Sequence, residues 1–291
     1  MQFSFQANPD TNYVFHMLSV AGCGYDNDYG RRYRALYPDS ELAILRNHSV
    51  ELTVRGGEHC GVLYSLLVCD PACARISAKT YYANLIHAAR NQTLPEHYLP
   101  YADVIFQICT VMVKHYDHFL NLIWPAERER ILAYIPTVER LFHDTSFAER
   151  AVSLVGREPP TGKFIATLVT SVENGAEGID ISQEQDVFGV ERDPMDALYF
   201  IGHELIIYLL FSALKDEPAF HSFDTWCLTE GLAEYYLKKI MGDTRFFTQQ
   251  QKYAVFYESC ENAGKSDAIT LYRHAYQMVA TGKSISLDQK N

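Results

Sequence analysis

The spacing of apolar positions changes near residue 160. From about residue 12 to residue 154, apolar and polar residues alternate mostly with helical spacing. The helical stretches are interrupted by turn-forming residues at Tyr37-Pro38-Asp39, Arg55-Gly56-Gly57, Leu99-Pro100 and Trp124-Pro125. Residues 163–172 and 178–190 are instead short β-branched and apolar segments, separated by a turn at Asn174-Gly175. The pattern predicts a helical first half followed by a small antiparallel sheet.

Two helices are predicted directly after these strands. Asp193 and Pro194 have the residue types that begin a helix, and the following run to about Leu214 is apolar on all sides. A helix of this kind belongs in the centre of a fold. A second helix is predicted from near Asp224 to Gly242, further helix to about Ala280, and a frayed tail after it.

The best candidate for a domain boundary is the segment Gly156–Gly162, where two prolines and two glycines disfavour both helix and strand. We therefore expect a mostly helical region at residues 1–156 and a second domain at residues 157–291. The expected fold class is α+β with a helical majority.

Composition excludes several classes of protein. The chain has 291 residues, 48% of them hydrophobic, and a formal net charge of −11, which repels phosphate backbones and anionic lipid surfaces. Its seven cysteines show no disulfide framework, and its first residues lack a secretory signal pattern. The apolar run at Ala197–Leu214 approaches the length of a membrane span but carries ionisable side chains. We expect a cytoplasmic protein with neither nucleic acid nor membrane as a partner.

The residues that could carry chemistry lie on the two predicted helices. His203 and Glu204 are adjacent on the first helix, and Glu230 and Glu234 are four residues apart on the second, so both glutamates share one helix face. A zinc hydrolase needs about three nitrogen or oxygen ligands and a carboxylate that takes a proton from the bound water. His203, Glu204 and Glu230 supply three of these parts.

Two segments, Gly202-His203-Glu204 and the Trp226–Tyr236 segment with its Glu-Gly-Leu-Ala-Glu core, resemble the gluzincin branch of the zincin metallopeptidases, the thermolysin and aminopeptidase N type. The resemblance implies that His203 and Glu230 are zinc ligands and that Glu204 is the general base. It also implies that Glu234 orients His203 and that a peptide or protein ligand binds in a cleft beside an edge strand. It covers about residues 163–242.

The chain departs from this family at Ile207, where the second histidine of the zinc-binding motif would stand. Isoleucine has no donor atom, so zinc would be weakly bound or absent unless another group replaces the missing imidazole. His221 is a candidate substitute, and Tyr208 is a weaker one because it points about 100° away around the helix. Tyr272 and His274 are further candidates for stabilising a transition state.

The first half of the chain has a looser likeness to uncharacterised bacterial proteins described as peptidases. It is carried by the NYVFHMLSVAGCGY and DYGRRYRALY stretches and by His48. Together the observations leave two functions open. One is a degenerate peptidase that acts as a binding or regulatory module, and the other is an active zinc-dependent peptidase with a substitute third ligand.

Overall fold

The structure is a computed structural model that describes residues 2–24, 27–55, 59–158, 161–172, 179–182, 184–190, 193–217, 220, 223–243, 251–262 and 267–282. Most of the described chain is helical, with a small sheet, so the expected fold class of α+β with a helical majority is confirmed.

The described helices are α1 (Pro9–Ala21), α2 (Asp28–Tyr33), α3 (Asp39–Asn47), α4 (Ser49–Leu52), α5 (Asp70–Cys73), α6 (Ala78–Arg90), α7 (Ala102–His118), α8 (Trp124–Asp144), α9 (Phe147–Val155), α10 (Pro194–Leu214), α11 (Phe223–Met241), α12 (Gln251–Asn262) and α13 (Ala268–Ala280). The described strands are β1 (Gln2–Gln6), β2 (Val54–Arg55), β3 (His59–Cys60), β4 (Lys163–Val169), β5 (Ile179–Ser182) and β6 (Gln185–Gly189).

The larger sheet has four strands in the order β1-β4-β6-β5, and β2 pairs with β3 separately. β5 and β6 are antiparallel, with Ile179 opposite Val187 and an irregularity between Asp180 and Ser182. The four-stranded sheet as a whole is mixed, so the expectation of a purely antiparallel sheet is wrong. The turn expected at Asn174-Gly175 lies outside the described residues.

Strand β1 was not expected from the sequence. It comes from the start of the chain and lies beside β4, more than 150 residues later, so no local turn indicates the pairing. The available signal is the alternation of Phe3 and Phe5 with polar neighbours, which has the period of two of a strand with one apolar face.

Contacts divide the chain into two compact units, each built from separated segments. Unit one contains residues 1–4, 138–165 and 195–291, and unit two contains residues 5–137 and 166–194. None of these divisions coincides with the expected boundary between residues 156 and 157. The assignment of a helical region and a peptidase-like domain to the two sides of that boundary stays a prediction.

Helix α1 is the core helix of unit two, because every residue from Thr11 to Ala21 is buried. The Asn8 side chain begins the helix by accepting hydrogen bonds from the first backbone N–H groups. Gly22 ends it in a left-handed conformation with φ of 80°, and the Cys23 N–H then donates to the Leu18 carbonyl.

A histidine inside unit two has both ring nitrogens bonded to tyrosines. His16 is fully buried, with Nδ1 2.7 Å from the Tyr29 hydroxyl and Nε2 2.7 Å from the Tyr37 hydroxyl. Burial, helped by the nearby His118 and His115, lowers the pKa of His16 to about 3. The ring is therefore neutral, so one nitrogen donates a hydrogen bond and the other accepts one.

Two prolines interrupt the regular hydrogen bonding of helices without ending them. Trp124-Pro125 was expected to stop a helix, but this is wrong, because the helical path continues from α7 through a π-helical turn at Phe119–Ile123 into α8. Pro125 has no N–H for the carbonyl four residues earlier, and the wider turn accommodates this loss. A similar turn at Ser65–Cys69 precedes Pro71, and there the Tyr82 hydroxyl donates to the Leu67 carbonyl.

In unit one, α10 and α11 begin and end within one or two residues of the bounds expected from the sequence. Among the described residues, α10 is the helix with the length and apolar composition to cross a membrane, and 67% of its apolar stretch is buried inside the protein. A core helix of a soluble protein has the same composition, so this is weak evidence for a membrane span.

The His16 network predicts that acid destabilises the protein. The folded pKa of His16, about 3, is below the value of 6.5 expected for an unfolded chain, so the unfolded state binds the extra proton between these values. The stability contributed by neutral His16 is complete above about pH 6.5 and decreases as the pH falls toward 3. Urea unfolding from pH 4 to pH 7 measures this decrease.

The variant His16→Gln isolates the contribution of this residue, because glutamine stays neutral and retains donor and acceptor atoms. We expect its stability to depend less on pH than that of the wild type over the same range. Equal slopes for the two proteins would contradict the assignment of His16 as a buried neutral group.

Candidate functional site

Helix α10 carries His203 into the interior of unit one. Twelve residues of this helix are buried, and they lie on all sides of it. His203 is one of them and is only 1% exposed. A buried imidazole needs hydrogen-bond partners at both ring nitrogens, because an unpaired polar group away from water is costly.

Helix α11 supplies both partners. Nδ1 of His203 lies 2.7 Å from Oε1 of Glu234, and Nε2 lies 2.9 Å from Oε2 of Glu230. The two glutamates are one helical turn apart, so their carboxylates reach the two nitrogens of one ring. We call His203, Glu230 and Glu234 the His203 centre.

The charges of the His203 centre favour an imidazolium. Burial by itself would lower the pKa of His203, but the hydrogen bonds to Glu230 and Glu234 and the charges of Glu230 and Glu204 outweigh it. The pKa of His203 is therefore held well above its usual value, so both ring nitrogens donate. Burial raises the pKa of Glu234, and His203 acts in the opposite direction.

The two glutamates differ in their access to water. The Glu230 side chain is 13% exposed, whereas Glu234 is completely buried. The second carboxylate oxygen of Glu234, Oε2, is also buried and has no hydrogen-bond partner within the described part of the chain. The Glu234 side of the imidazole is thus the inner side, and the Glu230 side is the outer one.

Two further residues of α10, Glu204 and Ile207, stand at positions that the resemblance assigns to the zinc site. Glu204 is half-buried and close enough for its charge to raise the pKa of His203. Ile207, also half-buried, lies one helical turn after His203 and so shares its face of the helix. This is the position where a second imidazole would be needed.

The candidate substitute ligands have contacts of their own. The Tyr208 hydroxyl is 2.7 Å from the Thr161 hydroxyl, and its ring packs against Phe164 of β4. These contacts direct Tyr208 toward β4. His221 lies outside the described residues.

Tyr272 and His274 lie on α13 among aromatic side chains. Tyr272 is completely buried, with ring contacts to Phe220 and Tyr276. The His274 ring stacks on Phe256, with ring centroids 5.7 Å apart. These are packing contacts, and the proposed part of both side chains in transition-state stabilisation stays a prediction.

Within the described residues, the donor set lacks one of the ligands that a gluzincin zinc ion would need. In the part of the chain that the structure describes, no group of three or more His, Cys, Asp or Glu side chains is arranged to hold a metal ion. Nε2 of His203 and Oε2 of Glu230, the atoms that the resemblance assigns to zinc binding, hydrogen bond to each other at 2.9 Å. The remaining position on the helix face holds Ile207, which offers only methyl and methylene groups.

Two aromatic residues that the sequence did not predict pack behind the His203 centre. The Phe147 ring lies against Gly202, and Tyr253 lies against Gly231. These two glycines are next to His203 and Glu230 in the sequence. A glycine inside a helix, beside a candidate site residue, is the signal that could have indicated close packing of another helix at that point.

Comparisons with protein-family models, with curated proteins and with solved structures find no match to this chain. The resemblance to gluzincins therefore depends on the residues named above.

The structure predicts that the two glutamates contribute unequally to stability. Replacing Glu234 by alanine leaves a buried imidazole nitrogen without its partner, so we expect a loss of about 3 kcal/mol. Replacing Glu230 by alanine leaves a position that water can reach, so we expect a loss of about 1 kcal/mol. Urea unfolding at pH 7 compares the two variants, and a larger loss for Glu230→Ala than for Glu234→Ala would contradict the inner and outer assignment.

Proposed function

We propose that this chain is a metallopeptidase-like protein of the gluzincin type that has lost its zinc site and acts as a binding or regulatory module. The observation that carries the proposal is the His203 centre, in which both ring nitrogens of His203 bond to the glutamates that the family resemblance assigns to zinc binding and to histidine orientation. The agreement is residue by residue and involves two separate helices.

Position 207 is the feature that supports the loss of the metal. The position of the second zinc-binding histidine holds Ile207, which cannot donate an electron pair. The imidazole and the Glu230 carboxylate hydrogen bond to each other, so a protonated His203 can satisfy this carboxylate without a metal ion. Glu204, the general base of the resemblance, then has no metal-bound water to deprotonate.

The proposed ligand is a peptide or a segment of another protein. Zincins bind extended peptides along a strand edge next to the helix that carries the histidines, and backbone hydrogen bonds in such a mode do not need a metal. The net charge of −11 disfavours nucleic acid and anionic membrane surfaces as partners. The proposed location is the cytoplasm, since the seven cysteines show no disulfide framework.

Zinc binding tests the proposal. We expect the wild-type protein, purified without chelator, to contain well below one zinc per chain and to leave an unfolded protein such as casein uncleaved. We expect Ile207→His to bind one zinc per chain, because it restores a third ligand on the same helix face as His203. Adding His203→Ala to this variant should abolish the binding.

Tyr208→His is the matched control, because it places the same imidazole one residue further along α10, where the side chain is directed toward Thr161 and Phe164. This variant should not gain zinc. If the wild type holds stoichiometric zinc that His203→Ala removes, the proposal is wrong and an active peptidase with a substitute ligand takes its place.

A further inference from the structure

We infer that Gly202 and Gly231 are positioning residues. Because neither has a side chain, α9 packs closely against α10 and α12 packs closely against α11. This close packing fixes the separation between His203 and Glu230. The inference rests on the proposed function only in taking the His203 centre as the functional site. It concerns the geometry of the centre and holds whether or not a metal ever binds there.

Gly202, the residue before His203, is covered by Phe147 of α9. A Cβ atom at position 202 would lie 2.4 Å from Cζ and 2.7 Å from Cε2 of the Phe147 ring. Phe147 is completely buried and packs against Phe142, with ring centroids 5.2 Å apart. Because the ring is buried against other side chains, a side chain at position 202 would press on it and push α9 and α10 apart.

Gly231, the residue after Glu230, is covered by α12. A Cβ atom at position 231 would lie 2.1 Å from Cβ and 3.4 Å from Cα of Tyr253. These atoms belong to the start of the side chain and to the backbone, so no change of rotamer relieves the clash. Helix α12 itself would have to withdraw from α11.

Helices α9 and α12 also bond to α11 at other points, and these contacts limit how far either helix can move away. On α12, the Tyr257 hydroxyl donates to the Leu228 carbonyl at 3.0 Å, and Glu258 pairs with Lys238 at 2.5 Å. On α9, Arg150 donates to the Lys239 carbonyl at 3.1 Å. An added methyl group would therefore displace α10 and α11, the two helices that carry the His203 centre.

The His203 centre has little tolerance for such a shift. Ordinary van der Waals contact with the added Cβ begins at 3.4 Å, so relief requires movement of roughly 1 Å. The contact between Nε2 and Oε2 is 2.9 Å long. A displacement of that size would take it beyond the range of a hydrogen bond.

The experiment measures the ring N–H signals of His203 by NMR of protein with ¹⁵N-labelled histidine, assigned by their loss in His203→Asn. We expect Gly202→Ala and Gly231→Ala to shift or abolish these signals and to lower Tm by roughly 5 °C. Alanine ordinarily stabilises a helix relative to glycine, so the direction of the change in Tm is itself informative.

Gly242→Ala is the matched control for general destabilisation. Gly242 follows the end of α11, with φ of 92° and no atom of the described residues within 4 Å of its absent Cβ, so alanine there strains the backbone without pressing on a described helix. We expect a lower Tm with unchanged His203 signals. Combining Gly202→Ala with Phe147→Leu, which removes the end of the ring, should restore the signals that Gly202→Ala alone loses.

If an alanine variant does not fold, Phe147→Leu alone still tests the inference. Loss of the end of the ring should shift the His203 signals while both glycines are unchanged. The inference is overturned if Gly202→Ala and Gly231→Ala fold with unchanged His203 signals. It is also overturned if Gly242→Ala shifts these signals to the same extent. Neither result depends on zinc or on a peptide, so failure here leaves the proposed function to be judged by zinc binding.

Discussion

The burial of one charged imidazole constrains the rest of unit one. His203 is 1% exposed, and an ion in such surroundings is tolerated only where opposite charges and hydrogen bonds replace the lost water. The two carboxylates that do so come from a different helix, one full turn apart. The relative position of α10 and α11 is therefore fixed both along the helix axes and across them, and the helices that pack behind them must keep that position.

Stability alone does not account for such a centre. Buried ion pairs generally contribute no more than apolar side chains of similar volume, although removing one partner of an existing pair is costly. Leucine and phenylalanine at positions 203, 230 and 234 would be expected to hold two helices together at least as well. What apolar residues would not provide is a fixed hydrogen-bonding geometry, with an inner and an outer carboxylate on either side of one ring. The centre thus fixes the hydrogen-bonding geometry between α10 and α11 rather than adding stability beyond that of apolar packing.

The sequence predicted those parts of the structure that depend on local pattern. The bounds of α10 follow from a helix-starting Asp-Pro pair and an apolar run, and those of α11 follow from a helical pattern that ends near Gly242. The approach of His203 to Glu230 is what the resemblance to gluzincins implied. Strand β1 could not be placed in this way, because its partner β4 is distant in the chain. A helix was wrongly predicted to end at Pro125, because a π-helical turn accommodates the hydrogen bond that proline cannot make. The close packing of Phe147 and Tyr253 against two glycines depends on tertiary structure, which local sequence propensity does not predict.

Ile207 is consistent with the arrangement around it when the charges are considered together. A second imidazole on this face of α10 would compete with His203 for the same carboxylates, and without a metal ion two buried imidazolium groups would repel each other. With isoleucine at this position, one proton on His203 suffices to give both glutamates a charged hydrogen-bond donor. Isoleucine at position 207 is therefore compatible with the hydrogen bonding of the His203 centre.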